Sequence, residues 1–290
     1  MTTTAPQPVS PTTSPTAAGS RIRPVIPAKL DFAGVLGAEW RKLFSLRSTW
    51  WTLGLTVVLM TLMALGQAAG VTDSLDTPEG AATFVGLHGA ELVTGGYQFG
   101  MLTIAVLGAL LITGEYSTGM IRSTFAAVPT RLPVLAAKGI VLAAVTVVIT
   151  AIAFVTSYAA TAPILTDHDL VPSLTDPTTW QIAGGVTAFL VAAAMFALGI
   201  GTLLRSTAGS VTVVITTLLL LPGILQFITV DWVQDAMEYL PLPAATAFVT
   251  VSDAFGGAGD LTAWQGAAIV AAWAIVPIIA AAIMLGRRDA

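Results

Sequence analysis

The sequence predicts an all-α integral membrane protein with six transmembrane helices. Three observations carry this. The chain is 55% hydrophobic and 10% charged, with a mean hydropathy of +0.85, whereas soluble domains carry about one quarter charged residues. It contains long apolar stretches without charge, each close to the roughly 20 residues that cross a hydrocarbon core. And its charges alternate in sign from one connection to the next. All twelve Lys and Arg fall in a few groups: Arg21, Arg23, Lys29, Arg41, Lys42 and Arg47; Arg122, Arg131 and Lys138; Arg205; Arg287 and Arg288. Twelve of the sixteen acids lie in intervals with no base, among them Asp73, Asp76, Glu79, Glu91, Asp167, Asp169, Asp176, Asp231, Asp235, Glu238, Asp253 and Asp260. Only Asp31, Glu39, Glu115 and Asp289 accompany the bases, so the formal net charge of -4 hides a strongly basic side and a strongly acidic one. Loops kept in the cytoplasm are enriched in Lys and Arg. The basic groups are therefore expected inside, with both termini cytoplasmic.

The elements follow in chain order. Residues 1–28 are rich in Thr, Pro, Ser and Ala without apolar periodicity, and read as a disordered tail. No basic start runs directly into an apolar stretch, as a signal peptide requires. Residues 30–48 read as an amphipathic helix. Phe32, Val35, Leu36, Trp40, Leu43 and Leu46 recur at helical spacing, although Glu39 and Arg47 fall in or near that stripe. A basic helix with aromatic residues on its apolar side suits a membrane surface.

Spans are expected at about 50–69, 92–113, 140–160, 181–204, 211–228 and 264–285. None of these windows contains an acid or a base, and Lys138 is placed to snorkel to the inner interface. Trp51, Trp180, Trp232 and Trp264 fall at span ends, where interfacial aromatics sit. The longest basic connection is 114–138. The longest acidic one, 229–263, is partly apolar but broken by Pro241 and Pro243. It predicts short interfacial or re-entrant helices, which survive at membrane depth only when packed on protein. Ala193, Ala197 and Gly201, and also Ala267 and Ala271, offer small residues at the spacing that lets helices approach closely. Pro222-Gly223 and Pro277 are candidate kinks. Hydroxyls such as those of Thr212, Thr216 and Thr217 are expected on backbone carbonyls.

Several chemistries are excluded. With no cysteine there are no disulfides or thiolate sites. No Gly-x-x-x-x-Gly-Lys-Ser/Thr loop, Gly-x-Ser-x-Gly elbow or His-Glu-x-x-His pair is present, so the chain does not hydrolyse a nucleotide through a phosphate loop. Charge-free spans argue against ion-coupled transport, which usually needs intramembrane carboxylates or histidines, although backbone carbonyls of broken helices can bind Na⁺. His88 and the Asp167-His168-Asp169 run read as solvated polar loops rather than metal ligands. The basic connection holds Gly114-Glu-Tyr-Ser-Thr-Gly119, Ile121-Arg-Ser-Thr124 and Pro129-Thr-Arg131. It reads either as a short helix between two spans, with Glu115 in its first turn where the dipole favours an acid, or as a plain loop whose arginines hold topology.

These blocks, with Glu39-Trp-Arg-Lys42 before the first span, resemble the membrane-spanning permease of ABC-2-type ATP-driven exporters over about residues 30–288. The resemblance implies a connecting helix before span one, carrying Glu39, Trp40, Arg41 and Lys42. It implies a coupling helix between spans two and three, with contact roles for Glu115, Tyr116, Ser117, Thr118, Gly119, Arg122 and Arg131 on a separate ATP-binding subunit. ATP and Mg would be bound by that partner, and this chain would hold no cofactor, metal or catalytic residue. Two copies of each subunit, the plasma membrane of a bacterium, contact with membrane lipid and an unidentified small-molecule or lipid substrate are implied too; no nucleic-acid partner is expected. Two other readings stay open on the residues alone: an ATP-independent carrier or channel, and a non-transporting sensor or assembly protein.

Overall fold

A computed structural model describes residues 31–252, 254–255 and 260–287. The N-terminal tail expected at 1–28 lies outside the described residues, as do Asp253, Arg288 and Asp289. Every regular element among the described residues is helical, and six helical stretches are long and apolar enough to cross a membrane.

Helix α1 (Phe32–Ser45) ends at Leu46, whose extended backbone breaks the chain from α2 (Arg47–Leu75). The chain continues through α3 (Pro78–Thr83), α4 (Gly89–Thr94), α5 (Tyr97–Thr118), α6 (Met120–Ala127) and α7 (Leu132–Leu165). After a 3₁₀ turn at Thr166–His168 come α8 (Pro177–Leu204), α9 (Thr207–Ile215), α10 (Leu221–Leu225), α11 (Asp231–Met237), α12 (Pro241–Val249) and α13 (Ala263–Arg287). The membrane helices are longer than the apolar windows. At about 1.5 Å per residue, α7 is roughly 50 Å long and overshoots a core about 30 Å thick. The overshoot carries Glu115 and Lys138 into the ends of spanning helices, so the expectation of charge-free spans holds for the windows but not for the helices themselves.

Helix α5 lies at the centre of the bundle, packed on α2, α8 and α9. Small residues set the α5–α8 distance. A Cβ on Gly108 would meet the Ala194 carbonyl oxygen at 2.6 Å, and one on Gly201 would meet Ile112 Cγ2 at 2.7 Å. The stripe of Ala193, Ala197 and Gly201 is thus a buried helix contact. Ala271, by contrast, is exposed. Pro277 packs against Gly199 of α8, where an added Cβ would lie 2.7 Å from the proline Cβ.

The fifth crossing is distorted one turn before Pro222. Residues Thr216–Leu220 form a π-helical segment, and the Leu221 N–H reaches back five residues to Thr216 O. Proline lacks an N–H and its ring crowds the carbonyl four residues earlier; widening the preceding turn relieves this. Threonine hydroxyls elsewhere bond the carbonyl of residue i−4, as at Thr113, Thr146, Thr150 and Thr202.

The segment before the last span forms the expected short helices. Buried Ala244 and Ala245 pack α12 on α8 and α13. The expected interfacial indoles are all exposed: Trp51, Trp180, Trp232 and Trp264. Tertiary contacts gather basic groups of α1, α7, α8 and the α6–α7 turn at one end of the bundle, where Arg131 Nη1 donates to Leu285 O at 3.3 Å. Acidic groups gather at the other end.

Candidate functional site: an ion cluster under a short helix

On α1 the spacing of Val35, Glu39 and Leu43 places a carboxylate on the buried face. The predicted apolar stripe is therefore split. Val35 and Leu43 point inward, while Phe32, Trp40 and Leu46 are exposed. Trp40, Phe44 and Trp50 form a ladder of ring contacts at 4.9 and 5.4 Å on the outward side. Glu39, the residue that spoiled the stripe, is only 2% exposed.

Glu115 does not begin a new helix as expected. It sits in the last turn of α5, which continues to Thr118. A carboxylate at a helix C-terminus opposes the macrodipole, so something else must hold it. Lys138, in the second turn of α7, does so. It does not snorkel; it is fully buried, at 0% exposure. Its Nζ donates to Glu39 Oε2 at 2.6 Å and to Glu115 Oε1 at 2.5 Å. Lys42 closes the cluster, donating to Glu39 Oε1 at 2.7 Å, Glu115 Oε1 at 3.1 Å and Thr124 Oγ1 at 3.1 Å. The Thr124 hydroxyl donates to Glu115 Oε2 at 3.2 Å.

Two acids thus face two bases, and the cluster is formally neutral. Burial alone would lower the Lys42 pKa, but the bonds and charges of Glu39 and Glu115 outweigh it and hold the ammonium above the ordinary lysine range. Lys42 is therefore ionised at any physiological pH. Its contribution is complete below the unfolded lysine pKa and is lost only as pH rises through the higher folded value.

The cluster joins four elements: α1, the end of α5, α6 and the start of α7. Gly119 makes this possible. With φ +74° it stops α5 and turns the chain into α6, a backbone region open to glycine at little cost. Helix α6 then buries Ile121 and Phe125, and turns Thr124 toward the cluster. Its other face, with Met120, Arg122, Ser123, Ala126 and Ala127, is exposed. The helix stops before Pro129.

The residues expected to touch a partner therefore divide. Ser117, Thr118, Gly119 and Arg122 are exposed, and the hydroxyls of Ser117 and Thr118 are bonded to Gly114 O. Glu115 faces inward. Tyr116 is half-buried under the Arg205 guanidinium, 5.2 Å from its ring centre. Arg131 lies 5.4 Å from the centre of the Phe125 ring. On α1, Trp40 and Arg41 are exposed, while Glu39 and Lys42 belong to the cluster. Sequence reasoning missed the roles of Lys138 and Thr124. The available signal was the presence of Glu39 and Glu115 in otherwise basic segments.

A second polar constellation lies at the acidic end. Glu91, only 4% exposed, accepts from the Val251 and Ser252 N–H groups at 3.1 and 3.0 Å and from the Ser252 hydroxyl at 2.7 Å. In the sequence Glu91 stands only as one acid of a base-free interval; in the fold it clamps the chain leaving α12. The histidines are not simply solvated either. His88 Nε2 meets Asp176 Oδ2 at 2.9 Å, and His168 Nε2 lies 3.4 Å from Asp76 Oδ1. Each histidine bridges two connections. Among the described residues no group of three or more metal-ligating side chains is assembled.

No curated protein sequence matches this chain significantly. A family model described as ABC-2 family transporter protein matches residues 35–290. That range begins inside α1, takes in the ion cluster and α6, and extends through the six crossings. The chain accordingly belongs to the ABC-2 transporter family, as a membrane-spanning permease.

Proposed function

We propose that this permease works by docking a separate ATP-binding subunit on the exposed face of α6 and passing its movement to the spans through the buried ion cluster. The observation that carries this is the construction of α6. It is an eight-residue helix held between two spanning helices, anchored on one face and open on the other. Association with an ABC ATP-binding subunit is implied by the family. A push on α6 reaches Thr124, and from there Lys42, Glu115, Glu39 and Lys138 link it to α1, α5 and α7. Packed, hydrogen-bonded groups carry displacement between rigid elements in this way.

In this reading the working transporter contains two copies of this chain and two of the ATP-binding subunit, which binds ATP and Mg. The basic end faces the cytoplasm, both termini lie there, and the membrane is the plasma membrane of a bacterium. Transport runs outward, and the cargo is a small molecule or lipid. Contact with the partner falls to Ser117, Thr118, Gly119 and Arg122, joined by Met120, Ser123 and Ala126, which share the open face. Glu115 supports this surface from below, and Tyr116 and Arg131 flank it.

The test is recovery of the partner. The tagged chain, extracted gently from its native membrane, is expected to bring down an ATP-binding subunit in equal amount. Arg122→Glu combined with Met120→Asp should reduce that recovery about tenfold, a loss of roughly 1.4 kcal/mol, with the chain still inserted at its normal level. Both side chains are exposed, so this pair separates docking from folding, whereas Glu115→Lys would disrupt the buried cluster itself. A homo-oligomer without an ATP-binding partner, or recovery unchanged by the double substitution, would remove this reading.

A further inference from the structure

The helices α7 and α8 are in contact toward the basic end, where a Cβ on Gly139 would lie 3.5 Å from Met195 Sδ. Toward the acidic end a cleft of about 510 Å³ lies between them, lined by residues of both helices and of α2 and α4. That volume falls within the roughly 300–1,000 Å³ of small-molecule sites. Its floor comes from Met60 of α2 and Val93 of α4. Its walls include Phe154, Ala159, Gly184 and Trp180.

Three features define what fits. First, the walls carry no carboxylate, lysine, arginine or histidine, and beside three threonines the Tyr158 phenol is their one further hydroxyl. The hydroxyls of Thr94, Thr150 and Thr187 are already bonded to the carbonyls of Ala90, Thr146 and Ala183. A polar ligand entering here would lose its bonds to water and find few in return. Second, the cleft opens sideways between two spanning helices. Ala151, Val155, Ala159 and Gly184 are exposed along its mouth, and a Cβ on Gly184 would meet nothing within 4 Å. Third, its depth is that of acyl chains. At about 1.5 Å per residue, Ala151 to Tyr158 lie roughly 20–30 Å along α7 from Lys138, in the half of a 30 Å core nearer the acidic end. Trp180 marks the rim, with its Nε1 held on Leu174 O at 2.8 Å and its ring 6.0 Å from that of Phe154. Such amphipathic rings sit at headgroup level.

We infer that this cleft is a binding site for one hydrocarbon chain of a bilayer phospholipid, taken from the leaflet on the acidic side. The chain enters between α7 and α8 and reaches the floor at Met60, so it is held by four elements rather than lying along an outer surface. The site is independent of the docking surface on α6 and rests only on the membrane-spanning architecture.

The test uses the full-length protein in nanodiscs of phosphatidylglycerol and phosphatidylethanolamine, doped with a phospholipid that carries a mid-chain diazirine. After photolysis, adducts are expected to concentrate on peptides containing residues 150–159 and 180–187. Gly184→Leu, which plugs the open wall, should reduce labelling of those peptides about tenfold and leave labelling of the exposed Ile275 and Ile279 face of α13 unchanged. Ala159→Leu, from the opposite wall, is a second plug should Gly184→Leu fail to assemble. Labelling no denser in the cleft than on α13, or untouched by a correctly assembled plug variant, would overturn the proposal.

Discussion

Lys138 concentrates the energetics of the site. A lysine with no exposed surface is tolerable only because two carboxylates meet it at 2.6 and 2.5 Å. Removing one member of a buried ion cluster leaves uncompensated charge and costs about 3–5 kcal/mol. Lys138→Met should therefore lower stability by that amount, read as a fall in the thermal midpoint in detergent. A double-mutant cycle of Lys138→Met and Glu115→Gln should show strong coupling; additive effects would mean that the two do not act as a pair. Asp176 makes a prediction of the opposite kind. The hydrogen bond with His88, then that from the Thr178 N–H, hold its pKa below the ordinary aspartate value. A depressed carboxyl stabilises the fold above its unfolded pKa, and that contribution is lost as pH falls through the folded value. The His88–Asp176 link between α4 and α8 should thus persist throughout the physiological range. Asp176→Asn should flatten the acid limb of a stability profile below about pH 4, and an unchanged limb would mean that the bond contributes nothing there.

At the level of elements, α6 depends on how α5 ends. Gly119 at φ +74° is the pivot, and a Cβ there costs roughly 1–2 kcal/mol for the left-handed conformation alone. No atom lies within 4 Å of that Cβ position, so the cost is one of backbone conformation and not of collision. Gly119→Ala should lower stability by about that amount and reduce partner recovery, because the direction of α6 shifts; Ser117→Ala, outside the buried cluster, should leave stability within about 0.5 kcal/mol of the parent. Equal stability of the two variants would show that the turn does not need glycine. The α1 helix illustrates how an element is read wrongly from its pattern. Periodicity placed Trp40 and Leu46 with Val35 on one apolar face, but the buried face follows Glu39. Phe32, Trp40 and Leu46 point outward instead, so the exposed side of α1 is itself apolar and periodicity alone does not tell the two faces apart.

The molecule as a whole is tied at both ends by charge. At the basic end the ion cluster joins α1, α5, α6 and α7. At the acidic end Glu91 fastens the chain after α12 to the start of the second crossing. Glu91→Ala would leave two backbone donors and a hydroxyl without their acceptor, at about 1–3 kcal/mol for each buried group. Its signature is regional. Hydrogen exchange should rise in 241–252 and remain slow in α5, with Glu91→Gln intermediate because it keeps an acceptor. Uniform loosening of the whole chain would contradict a local clamp. Between these ties the fifth crossing departs from regular α-helix, with its π-helical turn before Pro222.

Composition and charge order by themselves determined the class of this protein, the number of crossings and their approximate places, because lipid admits few solutions for the backbone and long apolar runs are direct evidence of one of them. The blocks at 39–42 and 114–131 pointed to the family, whose model covers both. What only the tertiary structure decided was which side chains meet. Lys138 lies 99 residues from Glu39 and 23 from Glu115, and nothing in local periodicity encodes such a meeting. The span ends were hidden for a related reason. A charged residue closes an apolar window, yet a helix continues through it when a partner from another helix neutralises the charge, as Lys138 does for Glu115. The cleft between α7 and α8 is likewise lined by residues of several elements, and no single stretch of chain contains it.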